Sequence, residues 1–195
     1  MDGEGKVTIK KERSVHTYIT MWWASGQFLE NGLQEAKGSK NQYMASLVFT
    51  AFALEAYLNH IGTKLYKSWG ALERPLGPRQ KLNLVAERLG IIIHYGERPW
   101  EVMGQLFGFR NDIAHGKSVV LEESKVVPLS EFSDEHAFEF IKTKWERYCT
   151  KENAMRARED VQNIMETMHK AARFEDNPYP FVGGMQLGSA TVSDK

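Results

Sequence analysis

The chain has 195 residues, 42% of them apolar and 26% charged, with 25 basic and 25 acidic side chains and a formal net charge of zero. That composition excludes a disordered or collagen-like chain and suits one soluble globular domain with a sizeable core. Balanced charge gives no overall argument for a nucleic-acid partner, which would need a local basic patch, and the lone Cys149 excludes an internal disulfide and fits a reducing compartment.

Residues 1–14 are charged throughout and lack the apolar segment of a signal peptide, so they read as an N-terminal extension. The most apolar run, Tyr43 to Leu58, is shorter than a bilayer span and carries Glu55. The expectation is a cytoplasmic protein with no membrane partner. Helical periodicity then dominates. In the first helix Val15, Tyr18, Ile19, Trp22, Trp23, Leu29 and Leu33 recur at helical spacing, Gly26 is a mild interruption and Gly38 is the C-cap. The second helix has the widest stripe: Met44, Leu47, Val48, Ala51, Phe52, Leu54, Leu58, Ile61 and Leu65.

Residues 68–79, with Gly70, Pro75, Gly77 and Pro78, read as a loop. A third helix carries Leu82, Val85, Ala86 and Leu89 and stops at Gly90. Glu97-Arg98-Pro99 opens the fourth, with Pro99 in the tolerant first turn, a stripe of Val102, Met103, Leu106, Arg110 and Ile113, and Gly116 as its stop.

After the fourth helix, Val119-Val120-Leu121 and Val126-Val127 flank Glu122-Glu123-Ser124-Lys125, which predicts a small β-hairpin insertion or two extended arms. Ser133-Asp134-Glu135 starts another helix, a hydroxyl cap followed by first-turn acids. Phe138, Ile141, Trp145 and Tyr148 make one seam, and Val161, Ile164, Met165 and Met168 a second, on one long helix or two. From Glu175 onward Pro178, Pro180, Gly183, Gly184 and Gly188 predict an extended or disordered tail. The expected organisation is an extension over 1–14, an all-α helical domain over 15–174 and a tail over 175–195.

The segment Phe109-Arg110-Asn111-Asp112-Ile113-Ala114-His115-Gly116 carries the most specific chemistry. Arginine stabilises phosphoryl charge and histidine moves a proton near neutral pH, the two tools needed to cut RNA without a metal. Asn111 and His115 are four residues apart and share a helix face. His115 falls in the last turn, where the helix dipole favours a protonated imidazole. Arg110 interrupts its apolar stripe, as Glu55 interrupts that of the second helix; the simplest solution is that the two face each other, because a buried unpaired charge is very costly. The plainer alternative is a structural Arg110–Glu55 ion pair, with His115 bonding a carbonyl and Asn111 solvated. Gly104 and Gly108, also four apart, leave a strip without side-chain bulk where another helix could approach.

Other signals are weaker. Asn111 to Ser118 is one residue from a phosphate loop, but it lacks the first glycine and follows a helix rather than a strand. His16, His60, His94, His136 and His169 fall at no metal-ligating spacing, so neither metal nor cofactor is expected. The five tryptophans read as packing residues, with Trp69, in its Gly/Pro loop, the exception that suits a surface role.

Arg110-Asn111-Asp112-Ile113-Ala114-His115 resembles the R-x4-6-H motif of the HEPN superfamily, including the polar residue after the arginine. Ala53-Leu54-Glu55-Ala56-Tyr57-Leu58-Asn59 resembles the acidic position on the second helix of those domains. The helix order matches over roughly residues 15 to 172, and residue-level similarity is confined to these two segments. The resemblance implies a HEPN-like helical bundle and a homodimer whose motif helices form a shared cleft. It also implies a metal-independent endoribonuclease leaving a 2′,3′-cyclic phosphate, in a toxin or antiphage-defence setting with an antitoxin or regulatory protein as partner. Carried over, His115 is the general base or acid, Arg110 holds the phosphate, Asn111 orients either group and Glu55 braces Arg110. Lys117 stands where one branch of toxins has a tyrosine two residues after the histidine; nucleotide transfer onto such a tyrosine is therefore not expected, and Lys117 becomes a candidate RNA contact. Two alternatives are a non-catalytic HEPN-like dimerisation or nucleic-acid- or protein-binding adaptor, and a small-molecule-binding bundle with Arg110 gripping an anion.

Overall fold

Helix dominates the computed structural model, in line with the 3.6-residue periodicity of the sequence. It describes residues 8–11, 14–124, 126, 128–131, 140–174, 181 and 190–193. In chain order the elements are β1 (Thr8–Lys11), α1 (Thr17–Gln34), α2 (Ser39–Leu65), α3 (Trp69–Leu72), α4 (Pro78–Leu89), α5 (Val102–Ala114), a 3-10 turn (Leu129–Glu131), α6 (Lys144–Tyr148), α7 (Lys151–Ala172) and β2 (Ala190–Ser193). The chain divides into two compact units, one of residues 1–23, 52–92 and 165–195, the other of residues 24–51 and 93–164.

In the first unit the core is built on α2, where Leu54, Tyr57, Leu58 and Ile61 are fully buried. The Tyr18 and Tyr57 rings meet edge-on at 5.3 Å, and the Tyr57 hydroxyl donates to the Met165 carbonyl at 3.2 Å. Trp69 is a packing residue like most of the tryptophans and not the surface exception its Gly/Pro loop suited, being 1% exposed. Residues 68–79 are accordingly not all loop: they contain α3, and Gly62 makes the slot for the indole. A Cβ at Gly62 would lie 2.2 Å from Trp69 Cε2. Helix α4 starts at Pro78, with the Gly77 N–H donating to Gln80 Oε1 at 2.9 Å, and ends at Gly90, which is left-handed at φ 69°. The described parts of the two terminal segments pair as antiparallel strands, Thr8 opposite Ser193 through Lys11 opposite Ala190.

In the second unit Leu47, Ala51, Leu106, Val161 and Ile164 are buried. Buried Ser25 and Thr50 share a hydrogen bond of 2.6 Å, and Arg158 Nη1 donates to Ser25 Oγ at 2.6 Å. Desolvation lowers the Arg158 pKa to about 10. Buried Asp160 accepts from Arg98 Nε at 2.7 Å, and Arg156 Nε stands 3.9 Å from its second oxygen. That triad fixes α7 to the segment leading into α5.

Several boundaries differ from expectation. The fourth predicted helix begins at Val102, not at Pro99; residues 97–101 wind into turns, with Glu101 N bonded to Glu97 O at 3.0 Å. Of the first C-terminal seam Trp145 and Tyr148 lie on α6, Ile141 lies in the coil before it and Phe138 is outside the described residues; the second seam lies on α7, at whose start Thr150 Oγ1 accepts from Asn153 N at 3.2 Å. Of the segment expected as a hairpin or two extended arms, the described residues 118–124, 126 and 128 carry no strand, and residues 125 and 127 lie outside the described residues. Val119, Val120 and Val126 are exposed there, and a two-stranded ribbon with nothing to pack on is marginal. The helix expected from Ser133 lies outside the described residues. Trp23 also departs from its stripe, at 66% exposure, together with Val15 and Leu33. Helix α2, at 27 residues, is longer than the apolar run suggested and by length and composition could cross a membrane; half of its most apolar window is buried inside the protein, as in a core helix.

Candidate functional site

The site is organised by α5. Val102, Met103, Leu106, Phe107 and Phe109 bury one side of this helix. The opposite side carries Gly104, Gly108, Asn111, Asp112 and His115, positions related by helical steps of three and four. Gly104, Asn111, Asp112 and His115 are exposed. A Cβ added at Gly104 or Gly108 would meet nothing within 4 Å, so this side is an open strip.

Arg110 falls within the apolar side, between Leu106 and Met103 by helical angle, and is part-buried. Its guanidinium carbon lies 5.6 Å from the centroid of the Phe107 ring. Its Nη1 donates to Asn111 Oδ1 at 3.0 Å. His115 ends the helix: its backbone leaves helical geometry at φ −116°, while its N–H still donates to the Asn111 carbonyl at 2.9 Å. Gly116 follows closely, since a Cβ there would stand 2.9 Å from the Asp112 carbonyl oxygen. The structure therefore brings Arg110 and Asn111 into contact and presents His115 one turn further along. Lys117 follows in exposed coil. Glu55, in the other unit, has a partner that spacing did not reveal: it accepts from buried Lys81 Nζ of α4 at 3.4 Å. Chemically, the end of α5 offers a held cation and a solvent-facing imidazole, which suit an anionic ligand and a proton transfer.

A second feature of the same unit was not recognised in the sequence. Helix α6 reads Lys144-Trp145-Glu146-Arg147-Tyr148 and, with α5 and the start of α7, encloses a cleft of about 620 Å³. Gly104 and Asp112 of α5 line it, facing Lys144, Trp145, Arg147 and Arg156. The wall is firmly held. Thr143 and Glu146 form a reciprocal cap, with Glu146 Oε2 accepting from Thr143 N at 2.8 Å and from Thr143 Oγ1 at 2.9 Å. These bonds, with Lys40 Nζ at 3.2 Å, bring the Glu146 pKa down to about 2. Arg156 forms an ion pair with Glu101, and Phe109 packs on Tyr148 at 5.3 Å. A smaller cleft of about 380 Å³ adjoins at Arg147, lined also by Lys40 and Lys142. Two cation–aromatic pairs, Lys144-Trp145 and Arg147-Tyr148 on either side of Glu146, were the available signal; at five residues the run is too brief for periodicity to register.

Among the described residues no group of three or more His, Cys, Asp or Glu side chains is placed to hold a metal ion. Comparison of the chain with models of known families, with curated proteins and with solved structures finds no match.

Proposed function

We propose that the protein is a metal-independent endoribonuclease of HEPN type that works as a homodimer. The observation that supports this most directly is the end of α5: a guanidinium held by Phe107 and Asn111, with an exposed imidazole one turn away. In the proposed reaction His115 takes the proton of a ribose 2′-hydroxyl. The 2′-oxygen attacks the adjacent phosphorus, and the bond to the 5′-oxygen breaks as that oxygen is protonated. The products are a 2′,3′-cyclic phosphate and a 5′-hydroxyl. Arg110 carries the charge that builds on the non-bridging oxygens, and proton transfer by a positioned side chain contributes roughly two to four orders of magnitude in rate. One imidazole cannot be both base and acid in a single step, so the second proton comes from the partner protomer's copy of the same segment. Gly104 or Gly108 is the natural point for close approach of the two α5 helices. Glu55 as a brace for Arg110 is an expectation from the two interrupted apolar stripes and from the resemblance, and the toxin or antiphage-defence setting with its regulatory partner comes from the resemblance alone.

The test is cleavage of total RNA in excess chelator by the wild type and by His115→Ala. Cyclic-phosphate ends with the wild type and none with the variant are expected. Because His115 is exposed, the variant should keep the helical circular-dichroism spectrum. No cleavage of any RNA pool by the folded wild type would leave a non-catalytic adaptor. A monomer at micromolar concentration would remove the shared cleft.

A further inference from the structure

We propose that the cleft between α5 and α6–α7 is a binding track for single-stranded RNA, in which a base stacks on Trp145 and the flanking phosphates are held by Lys144, Arg147 and Arg156. The inference rests on the ribonuclease reading only for the use made of the bound strand; the binding stands on this cleft. Single-strand binders combine a cationic groove with aromatic platforms, and both are present. The cleft of about 620 Å³ holds Trp145 and Tyr148 with the three cations. Arg147 also lines the adjoining cleft, where Lys40 and Lys142 continue the positive charge. Lys40 Nζ already lies 5.7 Å from the Trp145 ring centroid, so the indole is flanked by cation before any ligand arrives. Lys40 is paired with Glu146 and Arg156 with Glu101, and Asp112 also lines the cleft, so the positive charge in excess of these carboxylates comes from Lys144, Arg147 and Lys142. A chain with no net charge thus concentrates cations locally, which is what a polyanion partner requires.

The floor of the cleft connects it to the proposed chemistry. Gly104 and Asp112 line it from α5, and Asp112 lies beside Asn111 and one turn before His115 on the open side of that helix. A strand leaving the track along α5 would reach the Arg110–His115 end. Gly104 serves here as an absence of side chain, since a Cβ at this position meets nothing within 4 Å.

The test uses the full chain bearing His115→Ala, so that RNA is bound without being cut, with a fluorescently labelled twelve-nucleotide single-stranded RNA followed by anisotropy. Gly104→Leu fills the cleft while replacing a helix glycine with a better helix former, so it should fold as well as its parent, and sedimentation establishes that binding is compared at the same oligomeric state. It should nevertheless bind at least tenfold more weakly. Trp145→Ala should lose about tenfold or more, the range of one base–aromatic stack. Lys144→Ala should weaken binding and reduce the slope of log K against log salt by about 1. Folded Gly104→Leu and Trp145→Ala proteins that bind RNA as tightly as the parent would overturn the proposal, as would tighter binding of a polyglutamate peptide than of RNA. The two readings fail separately. Cleft variants that weaken binding in a protein that never cleaves leave the track standing without the nuclease; cleavage with unchanged KM in the cleft variants removes the track and leaves the nuclease.

Discussion

Arg110 Nη1 donates to Asn111 Oδ1 at 3.0 Å, so the side chain next in sequence holds the guanidinium in one orientation. Asn111 is exposed and its amide buries nothing, so its contribution is to aim. Asn111→Ala should leave the unfolding midpoint within experimental error. In the proposed ribonuclease reaction, cleavage should fall about tenfold, equivalent to about 1.4 kcal/mol of lost transition-state stabilisation and within the range of one hydrogen bond to a charged group. Single-turnover rates on a defined oligonucleotide measure this. An unchanged rate would mean that the bond from Arg110 to Asn111 does not position the guanidinium.

Gly62 exists for Trp69. A Cβ at this position would lie 2.2–2.4 Å from three atoms of the indole, and a fully buried ring on a four-residue helix has little room to retreat. Gly62→Ala gains up to about 1 kcal/mol of helix propensity, but overpacking costs about 1–3 kcal/mol. The expected net effect is destabilisation, read as a lower urea midpoint at unchanged m. A Gly62→Ala protein more stable than the wild type would show that α3 is free to shift.

The same pair shows what was legible in the sequence. The apolar stripes placed α1, α2, α4 and α5 because each repeats over several turns, and Gly90 and Gly116 fall where α4 and α5 stop, whereas α1 stops at Gln34 and Gly38, expected as its C-cap, directly precedes α2. Arg110, Asn111 and His115 stood out because they interrupt or follow such a stripe. Trp69 did not, since Gly and Pro around a tryptophan read as loop and the slot at Gly62 is a contact between elements. The Lys81 partner of Glu55 and the Arg98–Asp160 pair are likewise properties of packing. The cleft at Trp145 depends on three segments meeting, so no single window contains it.

Acid should weaken the fold in two separate steps. Burial lowers the His60 pKa to about 4, and the nearby positive charges of His16, Lys64 and His169 act in the same direction. Its folded value is below its unfolded value of about 6.5, so the unfolded chain binds the extra proton. Stability is then complete above pH 6.5 and declines as pH falls from 6.5 toward 4. For this part-exposed ring, screening limits the loss to about 1–2 kcal/mol. Glu146, whose pKa is lowered to about 2 chiefly by the Thr143 backbone and hydroxyl, adds a second loss between about pH 4.5 and pH 2. Urea midpoints from pH 7.5 to 3 measure both, and His60→Gln should flatten the upper step and spare the lower. A flat midpoint between pH 7.5 and 4.5 in the wild type would contradict the burial of His60.

Thr143 should control the order of the cleft wall. Helix α6 has five residues, too few to persist by backbone hydrogen bonds alone, and its first turn depends on the reciprocal Thr143–Glu146 bonds. Thr143→Val removes the hydroxyl that accepts from Glu146 N and donates to Glu146 Oε2, at a cost of about 1 kcal/mol typical of a lost N-cap. That loss should appear locally. Amide exchange across 144–148 should speed up several-fold while the amides of 155–168 in α7 keep their protection, because local opening and global unfolding are separate events. Thr143→Ser, which retains the hydroxyl, should restore slow exchange. Equal acceleration in both helices would mean that α6 opens only when its whole unit does, so that its order comes from packing against Phe109 and Lys40 and not from its cap.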